Sequence, residues 1–330
     1  MPLRDFALLR ASVTFRPLWS VVVALLSMSL LASTAGAQAT TQAPKIPAPI
    51  DIDLKSRTGQ LLSKDGVDLK ATFYPGTKGK DTVPIIMVHM WEGKRSDYSS
   101  LASYLQKQGH AVLVPDLRGH GESTAIANSQ EKLNLAQFRP IHFERMVADD
   151  MEACKKYLME KNNSGELNID KLCVVGAEMG AVIAVNWAML DWSWPDLATG
   201  KQGKDVKALV LLSPIRKVEK GTLMLAQPSR HPAIRRELAV YIIYGDGMGS
   251  AAFKRDAEQF YEALLPFHKD KSAEDQDLFL FPVKTALQGT KMLTPQLKLD
   301  PSLEARIGAF IEGRVAAQRS VWRDRSGVAP

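Results

Sequence analysis

The chain has 330 residues, a formal net charge of +6 at pH 7 and 45% hydrophobic residues, a composition that allows a large buried core. The positive charge is spread along the sequence without a segment of interleaved Lys, Arg and aromatic residues, which argues against nucleic-acid binding. The two cysteines, Cys154 and Cys173, are not part of a recognisable metal-binding or nucleophile motif. They could be two buried free thiols or a disulfide, and the sequence leaves both alternatives open.

The first 37 residues have the three-part pattern of an export signal. Three arginines precede an apolar stretch at residues 18–31, and Ala35-Gly36-Ala37 provides a cleavage site. The apolar stretch is short for a spanning helix, although an uncleaved anchor is the alternative. We expect the mature chain to begin near Gln38, to be periplasmic or secreted, and to have no membrane attachment after cleavage.

The segment after the export signal predicts a linker followed by a β-hairpin. Residues 38–55 are assigned to the linker because their first part is rich in Pro, Ala, Thr and Gln. The hairpin is predicted from residues 59–63, a turn at Asp65-Gly66, and residues 67–74 with partial alternation.

Short apolar strands then alternate with amphipathic helices. The predicted strands are Ile85 to His89, Ala111 to Pro115, Leu172 to Val175, Ala208 to Leu212, Val240 to Tyr244 and Leu278 to Phe281. The predicted helices lie near Tyr98 to Gln108, Phe143 to Lys161, Ala181 to Leu190, Ala251 to Leu264 and Leu303 to Val315. This order predicts one α/β domain over residues 56–316, with a mostly parallel sheet covered by helices on both faces. Residues 213–238 are too few for a large lid, and residues 317–330 are expected to form a disordered tail.

Four sequence landmarks occur in an order that is informative as a set. They are "IIMVHMWEGKRSDY" from Ile85, "VPDLRGHGES" from Val114, "GAEMG" from Gly176, and the pair "LVLLSP" and "YIIYGDG". Together they resemble the α/β-hydrolase superfamily over most of the chain, from about Gly59 to Val315. The resemblance implies the α/β-hydrolase fold, with polar groups gathered at the carboxyl ends of the parallel strands.

The same resemblance implies a nucleophile, an acid and a histidine in that order along the chain. The nucleophile position on the G-x-S-x-G turn is Glu178. The usual acid position is Met248, with Asp246 close by, and the histidine position is taken by Lys291 or Met292, since no histidine follows the last strand.

The oxyanion-hole positions implied by the resemblance are the backbone N–H groups of Trp91 and Met179, with Met90 where a glycine is usual. A glutamate nucleophile would displace the attacking oxygen by about an ångström or more from the oxyanion donors, and no histidine follows the last strand to activate water. We therefore expect the Glu178 carboxylate to fill the oxyanion hole itself, with Lys291 as a counter-charge.

Other polar and aromatic residues have more ordinary interpretations. The loop residues Asp116, Arg118, His120 and Ser123 are expected to organise a turn. A carboxylate cluster of Glu92, Glu178 and Asp246 for a hard cation is disfavoured against solvated acids, because no ligand-loop spacing is present. Trp187 is expected in the core, whereas Trp192 and Trp194 either anchor a partner or cover a helix end.

The sequence thus predicts an exported α/β-hydrolase-like protein that lacks the serine and the histidine of the triad. The main hypothesis is a non-catalytic protein that binds a small molecule or a partner in the retained cleft, without cofactor or metal. The alternative is an esterase or peptidase with a rearranged site around Glu178, Asp246 and Lys291. A third hypothesis is an interaction module that uses the surface of Trp192 and Trp194.

Overall fold

The computed structural model describes residues 46–326, except residues 199, 219, 220, 222 and 273. The expected export signal at residues 1–37 lies outside the described residues, as does most of the linker. Within the described part of the chain, no helix is both long enough and apolar enough to cross a membrane.

The described residues form an eight-stranded sheet flanked by helices. The strands are β1 (Ile50–Asp53), β2 (Lys70–Tyr74), β3 (Pro84–Val88), β4 (Ala111–Pro115), β5 (Leu172–Ala177), β6 (Val206–Leu212), β7 (Ala239–Gly245) and β8 (Leu278–Val283). Their order across the sheet is β1-β2-β4-β3-β5-β6-β7-β8. The pairs β1/β2 and β2/β4 are antiparallel and all the other pairs are parallel. The mostly parallel sheet and all six predicted strands after the hairpin are confirmed.

The α-helices of the described residues are α1 (Ser99–Lys107), α2 (Pro140–Arg145), α3 (Met151–Asn163), α4 (Met179–Ser193), α5 (Pro232–Arg236), α6 (Ala251–Leu264) and α7 (Leu303–Ile311). The helix predicted from Phe143 to Lys161 is interrupted, because a π-helical turn at Met146–Asp150 separates α2 from α3. A similar π-helical turn, Glu312–Ala316, extends α7.

Alternating strand residues build one hydrophobic core on each face of the sheet. Ile86 and Val88 of β3 belong to the core that also buries α4, whereas Ile85 and Met87 belong to the core under α1 and α7. Helix α4 is apolar along most of its circumference because it is buried nearly all round. Such a helix is held in place by the sheet, and it fixes the turn that precedes it.

The N-terminal antiparallel pair is present, but its first strand lies earlier than predicted. Residues 50–53, assigned to the linker, form β1, whereas residues 59–63 form only a single bridge, between Leu61 and Lys55. Cross-strand side chains favour the observed register: Lys70 Nζ lies 2.7 Å from an oxygen of Asp53, and the Thr72 hydroxyl donates to Asp51 over 2.6 Å. The residues of β1 alternate between Ile and Asp, which is the pattern of a short strand, although the segment that precedes them is rich in proline.

The end of the chain also differs from the expected disordered tail. Arg325 is only 4% exposed, and its Nη1 lies 3.0 Å from Oδ1 of the buried Asp205. Trp322 donates its indole N–H to the carbonyl of Asn162 over 3.2 Å. A buried carboxylate that needs a cation thus holds residues up to 326 against the domain. Elsewhere in the core, Cys154 and Cys173 are both buried free thiols, which settles the alternative left open by the sequence.

Candidate functional site

Glu178 stands at a sharp turn between β5 and α4. Its backbone has φ 48° and ψ −108°, a conformation that costs a non-glycine residue about 1 to 3 kcal/mol. The flanking glycines allow the turn: a Cβ on Gly180 would lie 2.2 Å from the carbonyl oxygen of Val88, and one on Gly176 would lie 2.4 Å from the carbonyl oxygen of Gly180. The turn therefore has the shape of a nucleophile elbow with a carboxylate at its apex.

The Glu178 carboxylate lies against the loop that follows β8. A Cβ placed on Gly289 would lie 2.9 Å from Oε1 of Glu178 and 3.2 Å from the sulfur of Met90. Gly289 has φ 56°, a backbone conformation that favours glycine. A side chain at this position would also come too close to the Glu178 carboxylate. The described residues donate no hydrogen bond to this carboxylate, which differs from the expectation that it fills the oxyanion hole through the N–H groups of Trp91 and Met179. The side chain instead occupies the space between the elbow and Gly289.

Burial raises the pKa of the Glu178 carboxyl above its usual value, and the positive charge of Lys291 opposes this rise. A carboxyl whose pKa is higher in the folded than in the unfolded state is destabilising when ionised. We therefore expect Glu178→Gln to unfold at a higher temperature than the wild type at pH 7.5. The advantage should shrink as the pH falls through the raised pKa and disappear below the usual glutamate pKa.

Thermal melts of both proteins between pH 3.5 and 7.5 measure this difference. Glu131→Gln, at an exposed position, is the matched control and should show no such pH dependence. A Glu178→Gln protein less stable than the wild type at pH 7.5 would show that the ionised carboxylate is stabilised by its surroundings.

Asp246 and Lys291, the other two site residues expected from the sequence, form no hydrogen bond with Glu178 in the described part of the chain. Asp246 follows β7, and its carboxylate lies 3.2 Å from Nζ of Lys254, on the outer side of α6. Lys291 lies in the short 3₁₀ turn Gly289–Met292, is exposed, and forms no ion pair with the described residues. Its influence on Glu178 is electrostatic. Met248, at the usual acid position, is 95% exposed.

A neutral network, missed by the sequence analysis, joins the loops that follow β6, β7 and β8. The amide oxygen of Gln288 accepts from the Ser213 hydroxyl (2.6 Å) and from the N–H of Gly245 (3.1 Å). Its amide nitrogen donates to the Gly245 carbonyl (2.9 Å) and to the Ser250 hydroxyl (2.7 Å). Ser213, itself at φ 48°, accepts from the N–H of Gly289 over 2.9 Å. The acid and histidine positions expected from the sequence lie in the loops after β7 and β8, and here an uncharged amide ties these two loops to each other and to the loop after β6.

Two buried histidines, His89 and His120, lie beside the oxyanion loop, and both have a lowered pKa. Leu117 donates its N–H to Nε2 of His89, so the hydrogen of His89 lies on Nδ1 and is donated to the carbonyl of Met90 over 2.7 Å. Burial lowers the pKa of His89. Burial, followed by the proximity of His89, lowers the pKa of His120 to about 4. His89 therefore has a backbone partner at each ring nitrogen, whereas His120 contacts the carbonyl of Arg118 through Nδ1 (3.0 Å) and has no partner at Nε2 among the described residues.

The remaining histidines lie elsewhere. His110 lies 3.2 Å from Glu312, His142 contacts Arg139, His231 lies 3.5 Å from Ser193, and His268 pairs with Asp277 over 2.6 Å. None of the six histidines, all within the described residues, makes a hydrogen bond to Glu178, Asp246 or Lys291. Within the described residues, the Glu178 carboxylate at the elbow is thus not hydrogen-bonded to a histidine that could act as its base.

The loop "VPDLRGHGES" uses its polar groups to hold itself together. The Asp116 carboxylate accepts from the N–H groups of Arg95 (2.7 Å) and Glu122 (3.0 Å), and the Ser123 hydroxyl donates to the Asp116 carbonyl (2.7 Å). Arg118 is 1% exposed, with Nη2 2.6 Å from Asp150 and Nη1 2.6 Å from Asp65. These contacts fit a structural loop.

Trp91 follows β3 and is half-buried within an aromatic cluster. Its ring centroid lies 5.0 Å from that of His120, 5.8 Å from Phe138 and 5.5 Å from Phe143. Met179, the first residue of α4, is almost fully buried. The two oxyanion-hole positions are thus occupied by residues whose side chains support the loop and the helix.

Tryptophans after the elbow fall into two groups. Trp187 is fully buried and donates to Glu152 over 2.8 Å, as expected for a core residue. Trp192 donates to the carbonyl of Val206, whereas Trp194 is 40% exposed. Trp192 covers the end of α4, and only Trp194 presents an exposed ring.

Within the described residues, no group of three or more His, Cys, Asp or Glu side chains is arranged to hold a metal ion. Glu92, Glu178 and Asp246 are therefore not brought together in such a group.

Comparisons with known proteins agree with this architecture. A family model described as the alpha/beta hydrolase fold matches residues 83–239. A bifunctional esterase/perhydrolase of Acinetobacter calcoaceticus is 30% identical over 100 residues, which make up 30% of this chain and 31% of that protein. The match thus spans about a third of the relative's length.

Solved structures show the same fold at low identity. An esterase of Pyrococcus furiosus has a TM-score of 0.54 at 17% identity, covering 81% of this chain and 91% of that one. A dienelactone hydrolase of Anabaena variabilis has a TM-score of 0.51 at 14% identity, covering 82% and 100%. From its sheet order, its elbow turn and these matches, the chain has the α/β-hydrolase fold.

Proposed function

We propose that this chain is an exported, non-catalytic α/β-hydrolase-fold protein that binds a small molecule or a protein partner at the carboxyl edge of its sheet. The observation that carries the proposal is the elbow itself. Its strained backbone is retained, but its apex is a carboxylate that no histidine contacts through a hydrogen bond. Fold alone does not give function, so the proposal rests on this site.

Two steps of hydrolysis lack a residue at this site. Attack by Glu178 needs its oxygen near the oxyanion donors, but the carboxylate lies against Gly289 and accepts no hydrogen bond from the described residues. Release of a covalent ester needs an activated water, and no histidine among the described residues is hydrogen-bonded to Glu178: both ring nitrogens of His89 have backbone partners, and His120 contacts the carbonyl of Arg118 through Nδ1. The neutral Gln288 network occupies the region from which an acid and a histidine would act.

A binding role is supported by the surface around the elbow. Met248 is 95% exposed and Leu287 is 37% exposed, on the loops that follow β7 and β8. These loops touch, since a Cβ on Gly247 would lie 2.5 Å from the backbone nitrogen of Ala286. With exposed Lys291 beside them, the loops present apolar and charged groups together, as an amphipathic ligand or a partner surface requires.

The second candidate is an esterase-type hydrolase with a rearranged site around Glu178, Asp246 and Lys291. It is favoured by the raised pKa of Glu178 and by the word esterase in the names of the relatives. It requires Asp246 to leave Lys254 and approach the elbow.

Hydrolysis assays separate the two candidates. The mature protein, Glu178→Gln and the control Glu131→Gln are incubated with short-chain chromogenic esters and amides, and also with a fluorophosphonate probe that labels activated serines. We expect rates equal to those of the heat-denatured protein and no labelling. Turnover that Glu178→Gln abolishes and Glu131→Gln retains would establish the second candidate, and labelling would reveal a serine nucleophile elsewhere. The N-terminal residue of the protein recovered after expression tests export, with Gln38 expected.

A further inference from the structure

A cavity of about 320 Å³ lies between Arg216, residues 225–235 and helix α6, and it is separate from the elbow. Its lining does not include Glu178, Asp246 or Lys291. Its volume is within the range of small-molecule sites, which begins at about 300 Å³. We propose that it binds a small organic anion, a carboxylate or phosphate monoester carried on an apolar body.

The charge of the lining is the first argument. Three arginines, Arg216, Arg230 and Arg235, face one carboxylate, Asp256. That carboxylate is already engaged, because it accepts from the backbone N–H of Arg216 over 2.9 Å and lies 3.2 Å from the guanidinium of Arg255, which is outside the lining. The lining therefore has an excess of positive charge that Asp256 does not neutralise.

The free hydrogen-bonding capacity of the arginines is the second argument. Among the described residues, the guanidinium groups of Arg216 and Arg230 have no carboxylate within 4 Å and no hydrogen-bond acceptor. Arg235 donates its Nε–H to the Ser229 carbonyl over 2.8 Å, and its guanidinium lies 4.6 Å from the ring centroid of Phe267. This leaves the Nη groups of Arg235 for a ligand. A guanidinium group presents its N–H donors in the geometry that matches two oxygens of a carboxylate or a phosphate.

The apolar part of the lining defines the body of the ligand. Leu225 and Phe260 belong to the hydrophobic core and are each only 3% exposed, whereas Ala226 and Ala263 are exposed apolar residues of the lining. A bare inorganic anion would leave the surface of these alanines in contact with water. An anion with an aromatic or acyl body would cover it while its oxygens meet the arginines.

A second cavity shows that this charge pattern is particular to the site. The cavity of about 390 Å³ beside α3 is lined by three cations, and two of them have carboxylate partners: Lys155 lies 2.5 Å from Asp191, and Arg325 lies 3.0 Å from Asp205. Only Lys156 of that lining has no ion pair among the described residues, and the lining also contains the carboxylates of Glu152 and Glu160. The lining beside α6 therefore has the larger excess of positive charge.

Calorimetric titration of the mature protein with four probes at low ionic strength tests the proposal. The probes are benzoate, phenyl phosphate, inorganic phosphate and the neutral benzyl alcohol. We expect benzoate or phenyl phosphate to bind at least tenfold more tightly than inorganic phosphate, and benzyl alcohol not to bind. The preferred oxyanion then distinguishes a carboxylate from a phosphate source. Equal affinity for benzyl alcohol, or no heat from either organic anion at 10 mM, would overturn the proposal.

Variants locate the binding. Arg216→Gln combined with Arg230→Gln should weaken the preferred anion at least tenfold, because both arginines are exposed and their loss leaves the core intact. Arg236→Gln is the control. Arg236 is exposed and lies in the same helix as Arg235, but it does not line the cavity, so this change should leave the affinity unchanged. Equal weakening in both variants would mean that net charge, and no built site, attracts the anion. Glu178→Gln should titrate like the wild type, so this result is independent of the hydrolysis assays.

Discussion

Arg118→Met is expected to lower the free energy of unfolding by about 3 to 5 kcal/mol, the usual cost of removing one member of a buried ion pair. Arg118 is 1% exposed and bonds Asp150, which is fully buried, through Nε, Nη2 and the backbone N–H. Burial disfavours its charge, but the carboxylates of Asp150 and Asp65 outweigh burial and hold the pKa of Arg118 above its usual value. Methionine fills much of the space but leaves Asp150 buried without its counter-charge.

Urea denaturation at pH 7.5 measures the loss. Arg145→Met is the matched control, because Arg145 also pairs with Asp65, at 2.9 Å, but its side chain is 47% exposed. An exposed pair of this kind contributes about 0 to 1 kcal/mol. Adding Asp150→Asn to Arg118→Met should recover part of the stability, since it removes the uncompensated carboxylate. Equal losses for Arg118→Met and Arg145→Met would show that the buried pair does not hold the loop.

This result bears on function because the loop "VPDLRGHGES" contains an aspartate, a histidine and a serine next to one another. Their proximity in sequence invites a catalytic interpretation. In the structure, however, Asp116 accepts from Arg95 and Glu122, and Ser123 donates to the backbone. A large stability effect without any associated turnover would confirm that these residues organise the turn.

Most of the fold could be predicted from the periodic spacing of apolar residues along the sequence. Strands such as β4 are uniformly buried, and α6 has an amphipathic pattern and begins and ends at the predicted residues. The misplaced strand β1 has only four residues, at the sheet edge inside a Pro-rich segment, where its own sequence is a weak signal. Its position is decided by cross-strand pairing with β2, which no local pattern encodes.

The site could be predicted only as positions along the chain. The glycine spacing placed Glu178 at the elbow, but the direction of its side chain depends on Gly289, more than a hundred residues later. Likewise, Gln288 and Ser213 each stand in an ordinary loop sequence, and their importance appears only when β6, β7 and β8 lie side by side. Hydrogen bonds between distant loops follow from the tertiary arrangement, and a single sequence contains no periodic signal for them.

Gln288→Ala is expected to lower the free energy of unfolding by about 2 to 4 kcal/mol, because an unsatisfied buried polar group costs about 1 to 3 kcal/mol and this change leaves more than one. The side chain is 8% exposed and makes four hydrogen bonds to Ser213, Gly245 and Ser250. Without it, Ser213 must keep its strained backbone with one partner fewer. The loop that carries Gly289 and Lys291 should then open more often over Glu178.

Two measurements follow that expectation. Urea denaturation gives the stability, with the exposed Gln130→Ala as control, and amide hydrogen exchange should increase at residues 245–250 and 284–292 while α3 stays protected. A double-mutant cycle with Ser213→Ala should give a coupling of about 0.5 to 3 kcal/mol, as for residues in one hydrogen-bond network. A Gln288→Ala protein as stable as Gln130→Ala, with unchanged exchange at the loops, would mean that packing alone closes the site. If the network does close it, an uncharged amide holds together the loops after β6, β7 and β8, two of which contain the expected acid and histidine positions, and it keeps the loop of Gly289 over the elbow.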